Sequence, residues 1–155
     1  MLVKLRVNAR DFSVNAKGNE RLLDTLRRIG MKSVKEGCSV GDCGSCNVIV
    51  DGRLVSSCMM LTIQARGSKV TTCEGLGTKN EMDPLQRAFI EEAVPQCGYC
   101  MPGVLMTARY YLDRNPSPKP EGVREVLSGN ICRCGAYGKI TQAIIAASAK
   151  PRRER

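Results

Sequence analysis

The stretch Glu36-Gly37-Cys38-Ser39-Val40-Gly41-Asp42-Cys43-Gly44-Ser45-Cys46 carries three thiols at C-x4-C-x2-C spacing, and a fourth follows at Cys58. Thiolates are soft donors for transition metals, and three of them this close reach one small inorganic centre only if the backbone curls around it. Gly37, Gly41 and Gly44 supply positions where φ can be positive or where backbone approaches closely. Their amides are then free to point at sulfur, which tunes a redox centre. A second group lies downstream, as Gln96-Cys97-Gly98-Tyr99-Cys100 and Asn130-Ile131-Cys132-Arg133-Cys134-Gly135. Of nine cysteines, eight fall into the quartets 38/43/46/58 and 97/100/132/134, which leaves Cys73 over.

The elements that must position the first quartet are readable. After Cys46 the chain runs Asn47-Val48-Ile49-Val50, turns at Asp51-Gly52 and returns through Arg53 to Ser57. Asp-Gly between apolar runs predicts a two-residue hairpin. In a regular hairpin paired residue numbers sum to 103, so Cys58 comes back beside Ser45 and Cys46. This is the plant-type 2Fe-2S spacing. In the second quartet, Cys97 and Cys100 can converge in one tight turn. Cys132 and Cys134 can share one face of an extended segment with Arg133 pointing away. Each pair precedes a helix N-terminus, where dipole and free amides favour an anionic centre. Taken alone, C-x2-C…C-x-C also suits a four-cysteine structural zinc, whereas two adjacent thiolate centres in one chain point to electron relay.

Composition narrows the field. The 155 residues allow one domain or two small ones, and no run is long or apolar enough to span a bilayer. Met1-Leu2-Val3-Lys4 opens into a strand with no signal-peptide segment, so the expectation is a soluble cytoplasmic chain, periplasmic only if a partner carries the export signal. Histidine is absent, which excludes mixed zinc sites, Rieske centres and histidine acid-base catalysis. A disulfide framework belongs to short secreted chains with small cores, and this chain has apolar residues enough for a core. The charge of +9 is spread evenly, with 12 Lys/Arg against 7 Asp/Glu in residues 1–76 and 12 against 8 in 77–155. Two oxidised clusters with their thiolates lower it to about +5. With two phenylalanines and no tryptophan there is no stacking platform for nucleic acid.

Along the chain, residues 3–15 predict a hairpin turning at Asn8-Ala9-Arg10-Asp11. Residues 19–29 predict a helix with Leu22, Leu26 and Ile29 on one face, Asn19 as N-cap and Gly30 as its stop. A short helix over 59–65 and a last strand over 68–73 follow. Beyond Gly75-Leu76-Gly77 the patterns are helical: one helix from Asp83-Pro84, one from Met101-Pro102 ending before Asn115-Pro116, one over 121–127 and one over 139–149. Residues 1–76 and 77–149 therefore read as two domains, mixed sheet and all-helical, and 150–155 as a basic disordered tail. The fold class is α+β.

Together, Glu36-Gly37-Cys38…Gly41-Asp42-Cys43-Gly44-Ser45-Cys46, Cys58, Gln96-Cys97-Gly98-Tyr99-Cys100-Met101-Pro102-Gly103 and Gly129-Asn130-Ile131-Cys132-Arg133-Cys134 resemble the iron-sulfur subunit of molybdenum hydroxylases, the xanthine dehydrogenase, aldehyde oxidoreductase and carbon monoxide dehydrogenase family. The resemblance covers about residues 2–148. It implies a β-grasp ferredoxin domain followed by a four-helix bundle, each holding one 2Fe-2S cluster. It implies that Cys38, Cys43, Cys46 and Cys58 hold the cluster nearer the flavin, and Cys97, Cys100, Cys132 and Cys134 the one nearer the molybdenum cofactor. Gln96 and Cys134 match positions that approach the molybdopterin of a large partner subunit, where substrate is oxidised; a medium subunit carries FAD. This chain would then be the electron-transfer subunit of an oxidoreductase and hold no substrate site. Cys-Gly-Ala-Tyr at 134–137 departs from the family's Cys-Thr-Gly-Tyr, Met101 stands where threonine is frequent, and Cys73 where an aliphatic residue is usual. Cys73 reads as a small buried hydrophobe. The alternatives are a free-standing two-cluster ferredoxin or metal-binding interaction module, and a zinc-dependent nucleic-acid binder.

Overall fold

The computed structural model describes residues 1–78 and 80–150. A five-stranded mixed sheet, ordered β2-β1-β5-β3-β4, is formed by β1 (Leu2–Val7), β2 (Arg10–Asn15), β3 (Asn47–Val50), β4 (Arg53–Ser56) and β5 (Lys69–Thr71). β5 runs parallel to β1 and antiparallel to β3, so it ties the two hairpins into one sheet. Val3, Leu5 and Val7 alternate inward along β1 and meet helix α1 (Leu22–Arg28), whose Leu22, Leu23 and Leu26 are fully buried.

The first hairpin turns on two residues, not four. Leu2 pairs with Asn15 and Val7 with Arg10, which leaves Asn8 and Ala9 in the turn at φ 49° and 65°. Asn8 holds this strained turn through its side chain, donating to Thr72 Oγ1 at 2.8 Å and accepting from the Thr72 amide at 2.9 Å. Asn19 does not cap α1; Arg21 takes the N-cap position, and its side chain goes to the metal loop instead. At the other end Gly30, at φ 99°, sits one residue past the C-cap. The amides of Gly30 and Met31 return to the carbonyls of Arg27 and Leu26, the paired bonds of a Schellman stop. The segment expected to be helical over 59–65 is a single 3-10 turn, Thr62–Ala65, and a second 3-10 turn, Cys73–Gly75, ends the strand region early.

The remaining helices are α2 (Pro84–Glu91), α3 (Met101–Leu112), α4 (Pro120–Val126) and α5 (Tyr137–Ser148). Asp83 caps α2 as its spacing predicts, accepting from the Leu85 amide at 2.9 Å, with Gln86 completing the box. Two cores result. One gathers Val3 to Val70 between sheet and α1; the other gathers Leu76 to Ala147 among α2–α5. They are not separate bodies, because α3 lies along β3 and β4: Ile49 and Leu54 pack on the helical core, and Asn47 Nδ2 donates to Thr107 Oγ1 at 3.0 Å. That explains why β3 is covered on both faces. Lys150 ends the described chain in an ion pair with Glu91 at 2.8 Å; the expected disordered tail otherwise lies outside the described residues. No helix among the described residues is long and apolar enough to cross a membrane.

Candidate metal centres

The β3–β4 hairpin has the expected register: Asn47 pairs with Ser56, Val48 with Val55, Ile49 with Leu54 and Val50 with Arg53. Asp51 and Gly52 take the turn with φ 46° and 77°. Ser57 then locks the return by donating both its amide and its hydroxyl to the Cys46 carbonyl, the latter at 2.7 Å. Cys58 is thereby delivered to Cys46, and their thiols lie within hydrogen-bonding reach, both buried. Cys38 and Cys43 form a second pair in the loop. Gly37 is required there by space, since a Cβ on it would stand 2.7 Å from Cys43 Sγ.

The loop's amides do turn toward sulfur. The N–H groups of Val40, Cys43 and Asp42 point at Cys38 Sγ at 3.3–3.5 Å, and that of Cys38 at Cys43 Sγ at 3.4 Å. These amides draw the Cys38 thiol down to about 6, so the thiolate is favoured before any metal arrives. Burial acts oppositely on Cys58, pushed up to about 11 with Cys46 beside it.

In the second quartet the pairing crosses between segments. Cys97 meets Cys134 and Cys100 meets Cys132, so neither the turn 97–100 nor the extended 132–134 keeps its two thiols as a mated pair. The reason is the helices. Cys100 is the N-cap residue of α3 and points into the core, whereas Cys97 is exposed three residues earlier; Cys132 is buried and Cys134 half-buried. Amides of Ala136, Cys134 and Gly135, leading into α5, donate to Cys132, and that of Tyr99 to Cys97. Burial pushes Cys100 up to about 12. Arg133 is exposed, as expected, and so is Gln96.

All nine cysteines are free thiols. Among the described residues no three Cys, Asp or Glu side chains gather around one point fit for a single ion. The thiols meet two by two, a donor set that suits a binuclear iron-sulfur centre with one pair per iron, supported by amides aimed at sulfur. Cys73 stands apart: half-buried against the helical core, it is touched by Gln86 Nε2 at 4.0 Å and pushed up to about 11 by burial. It behaves as the apolar filler its isolation implied.

Several residues that hold the loops have no local signal in the sequence. Arg21 grips Asp24 through two bonds of 2.8 Å and reaches Glu36 Oε1 at 2.8 Å and Ser39 Oγ at 3.2 Å, bracing the loop on both sides of Cys38. The Tyr137 hydroxyl accepts from the Cys132 amide at 2.8 Å and donates to the Asn130 carbonyl at 3.0 Å. Tyr99 Oη donates to the Glu36 carbonyl at 2.5 Å, from one quartet's loop to the other's.

Comparison with known proteins agrees with this geometry. A family model described as a 2Fe-2S iron-sulfur cluster binding domain matches residues 5–75, and one described as a 2Fe-2S binding domain matches residues 72–145. The chain is 45% identical to the nicotinate dehydrogenase small FeS subunit of Eubacterium barkeri over 143 residues, covering 92% of this chain and 91% of that one. The xanthine dehydrogenase iron-sulfur-binding subunit of Escherichia coli O157:H7 is 35% identical with the same coverage. The chain belongs to the iron-sulfur subunits of the molybdenum hydroxylases. A quinoline 2-oxidoreductase chain from Pseudomonas putida 86 superposes with a TM-score of 0.92 at 38% identity, covering 96% of this chain and 94% of that one. This molybdenum-hydroxylase iron-sulfur subunit therefore has two 2Fe-2S-binding domains. Its departures from the family pattern have local explanations. Met101, at the first turn of α3, is buried in the helical core, and Gly135 takes φ 72° where a threonine would be strained.

Proposed function

We propose that this chain relays single electrons between a molybdopterin-binding catalytic subunit and an acceptor, FAD on a further subunit, through one 2Fe-2S cluster held by Cys97, Cys100, Cys132 and Cys134 and a second held by Cys38, Cys43, Cys46 and Cys58. The observation that carries this reading is the arrangement of eight thiols as four close pairs in two groups whose loops touch. A β-grasp unit over 1–76 and a four-helix bundle over 77–149 are the corresponding units, with α3 as the shared wall. Gln96 and Cys134 mark the side that approaches the pterin, consistent with exposed Gln96 and Cys97. Large exposed apolar side chains flank both groups, Val40 and Met59 beside the first and Tyr99, Ile131 and Tyr137 beside the second. Such flanking suits a subunit docked on two sides better than a free-standing ferredoxin.

The test is metal and sulfide analysis with electron paramagnetic resonance of the purified chain, followed by isolation of the native complex. The expected result is two irons and two acid-labile sulfides per centre, two distinct signals on reduction, and a large molybdenum-containing partner. Colourless zinc protein, or a native chain with no molybdenum partner, overturns the proposal.

A further inference from the structure

Three hydrogen bonds join the two thiol-bearing loops, and they differ in what they connect. Tyr99 Oη reaches the Glu36 carbonyl, two residues before Cys38. Asn130 Nδ2 reaches the Gly44 carbonyl at 3.4 Å. The amide of Ile131 donates to the carbonyl of Cys43 itself at 3.0 Å. Cys43 is a candidate ligand of one cluster, and Ile131 is bonded directly to Cys132, a candidate ligand of the other. The connection from sulfur to sulfur therefore needs only the backbone of three consecutive links: Cys43, its hydrogen bond, and Ile131 into Cys132. The Tyr99 route adds a phenol ring and two further residues.

The surroundings fix this contact. Tyr137 clamps the segment from both ends by holding the Asn130 carbonyl and the Cys132 amide. Asn130 is buried beside the contact, with Oδ1 unpartnered in the protein. Gly103 at the first turn of α3 lets the helix lie on the loop: a Cβ there would stand 2.1 Å from the Gly44 oxygen and 3.0 Å from Ser45 Cα. None of these residues binds metal, yet all of them set the length of one hydrogen bond.

We infer that the Ile131 N–H to Cys43 C=O hydrogen bond is the electron bridge between the two clusters, with Asn130, Tyr137 and Gly103 as its positioning residues. The inference rests on the proposed ligand assignment. In the step, one electron leaves the mixed-valence Fe(II)Fe(III) centre of the Cys97 group, which becomes diferric, and enters the diferric centre of the Cys38 group, which becomes mixed-valence. No proton moves and no covalent bond breaks.

Ile131→Pro deletes the donor. The side chain is 54% exposed, so little packing is lost, and Asn130 at φ −121°, ψ 111° already has the extended geometry that precedes proline. Ile131→Ala keeps the donor. In the cluster-loaded protein, rapid-freeze paramagnetic resonance after substoichiometric reduction reads the rate of electron equilibration, and redox titration reads both midpoint potentials. The expected result is that Ile131→Pro slows equilibration by about an order of magnitude with both signals present and both potentials unmoved, while Ile131→Ala matches wild type. A wild-type rate in loaded Ile131→Pro overturns the inference. Should that variant fail to take up clusters, Gly103→Ala, which stretches the same bond without removing a donor, must slow equilibration; a wild-type rate there overturns it equally. Tyr99→Phe breaks only the longer route and must leave the rate unchanged, and slowing would assign the bridge to Tyr99. Absence of two cluster signals in the wild-type chain refutes the ligand assignment itself, which keeps the two failures apart.

Discussion

Replacing Gly44 by alanine separates two costs that the contact between the cluster loops combines. Gly44 sits at φ 69°, where a side chain costs about 1–2 kcal/mol through clash with its own backbone. A Cβ there would also stand 2.4 Å from the Gly129 carbonyl and 2.5 Å from Asn130 Nδ2, and forcing a packed backbone apart costs about 1–3 kcal/mol more. Gly52 supplies the control. It has φ 77° and no atom within 4 Å of a built Cβ, so Gly52→Ala shows the conformational cost alone. For a chain of this size 1 kcal/mol moves the midpoint about 2–4 °C. Gly52→Ala is expected to lower the thermal midpoint by about 2–8 °C and Gly44→Ala by about 2–12 °C beyond that, followed by bleaching of the visible cluster absorption at one scan rate. Gly44→Ala is also expected to perturb the resonance signal of the second cluster, because the displaced residues Gly129 and Asn130 lead into Cys132, while Gly52→Ala leaves both signals alone. Equal midpoints for the two variants, with unshifted signals, would refute the idea that the loops are locked together at Gly44.

Cys43→Ser and Cys100→Ser are each expected to abolish one cluster signal, whereas Cys73→Ser leaves both; loss of a cluster in the Cys73 variant would overturn the division of the cysteines. Asp83→Ala removes the α2 cap and the partner of Arg109, 3.6 Å away and only 10% exposed, so urea unfolding is expected to show a loss of about 3–5 kcal/mol. Asp113→Ala, whose ion pair with Arg109 is 37% exposed on the carboxylate side, is expected to cost about 1 kcal/mol or less. The Thr25 hydroxyl and Arg28 hold the Glu20 carboxyl down to about 2, against an ordinary 4.5. A carboxyl depressed by folding stabilises above its unfolded value and loses that contribution as pH falls toward its folded one. The stability gap between wild type and Glu20→Gln is therefore expected to be constant above pH 5 and to close between about 4.5 and 2, read by urea titration at each pH. A gap independent of pH would sink that reading.

What was legible in the sequence was whatever is decided within a few residues. Asp51-Gly52 dictated a two-residue turn, and the turn dictated the register that returns Cys58 to Cys46. Asp83-Pro84 marked the start of α2 for the same local reason. What was not legible was decided by distant partners. Asn8-Ala9 forms a two-residue turn with no glycine because Thr72, far along the chain, ties down the Asn8 side chain. Arg21 displaces Asn19 as the residue that opens α1 because Glu36 and Ser39 need its guanidinium. The pairing in the second quartet followed the same rule. Spacing alone suggested that neighbours in sequence share an iron, yet the N-terminus of α3 turns Cys100 inward and away from Cys97, so each finds its mate in the other segment.

The placement of α3 links these observations. A helical unit folded independently would put its centre wherever its own packing left space, and the gap to the first loop would depend on a linker. Here Gly103 removes the side chain that would hold α3 off Gly44, Asn47 and Thr107 pin the middle of the helix to β3, and Arg114 donates to the Gly52 carbonyl at 2.6 Å beyond its end. Contacts at the start, middle and end of one helix leave it no freedom to slide or tilt relative to the sheet. Because Cys100 caps that helix and Cys46 opens β3, the rigid pairing of α3 with β3 fixes one thiol of each quartet relative to the other. The separation of the two centres is thus a property of the interface between the two cores, and substitutions along α3 that never touch a cysteine should act on both centres at once.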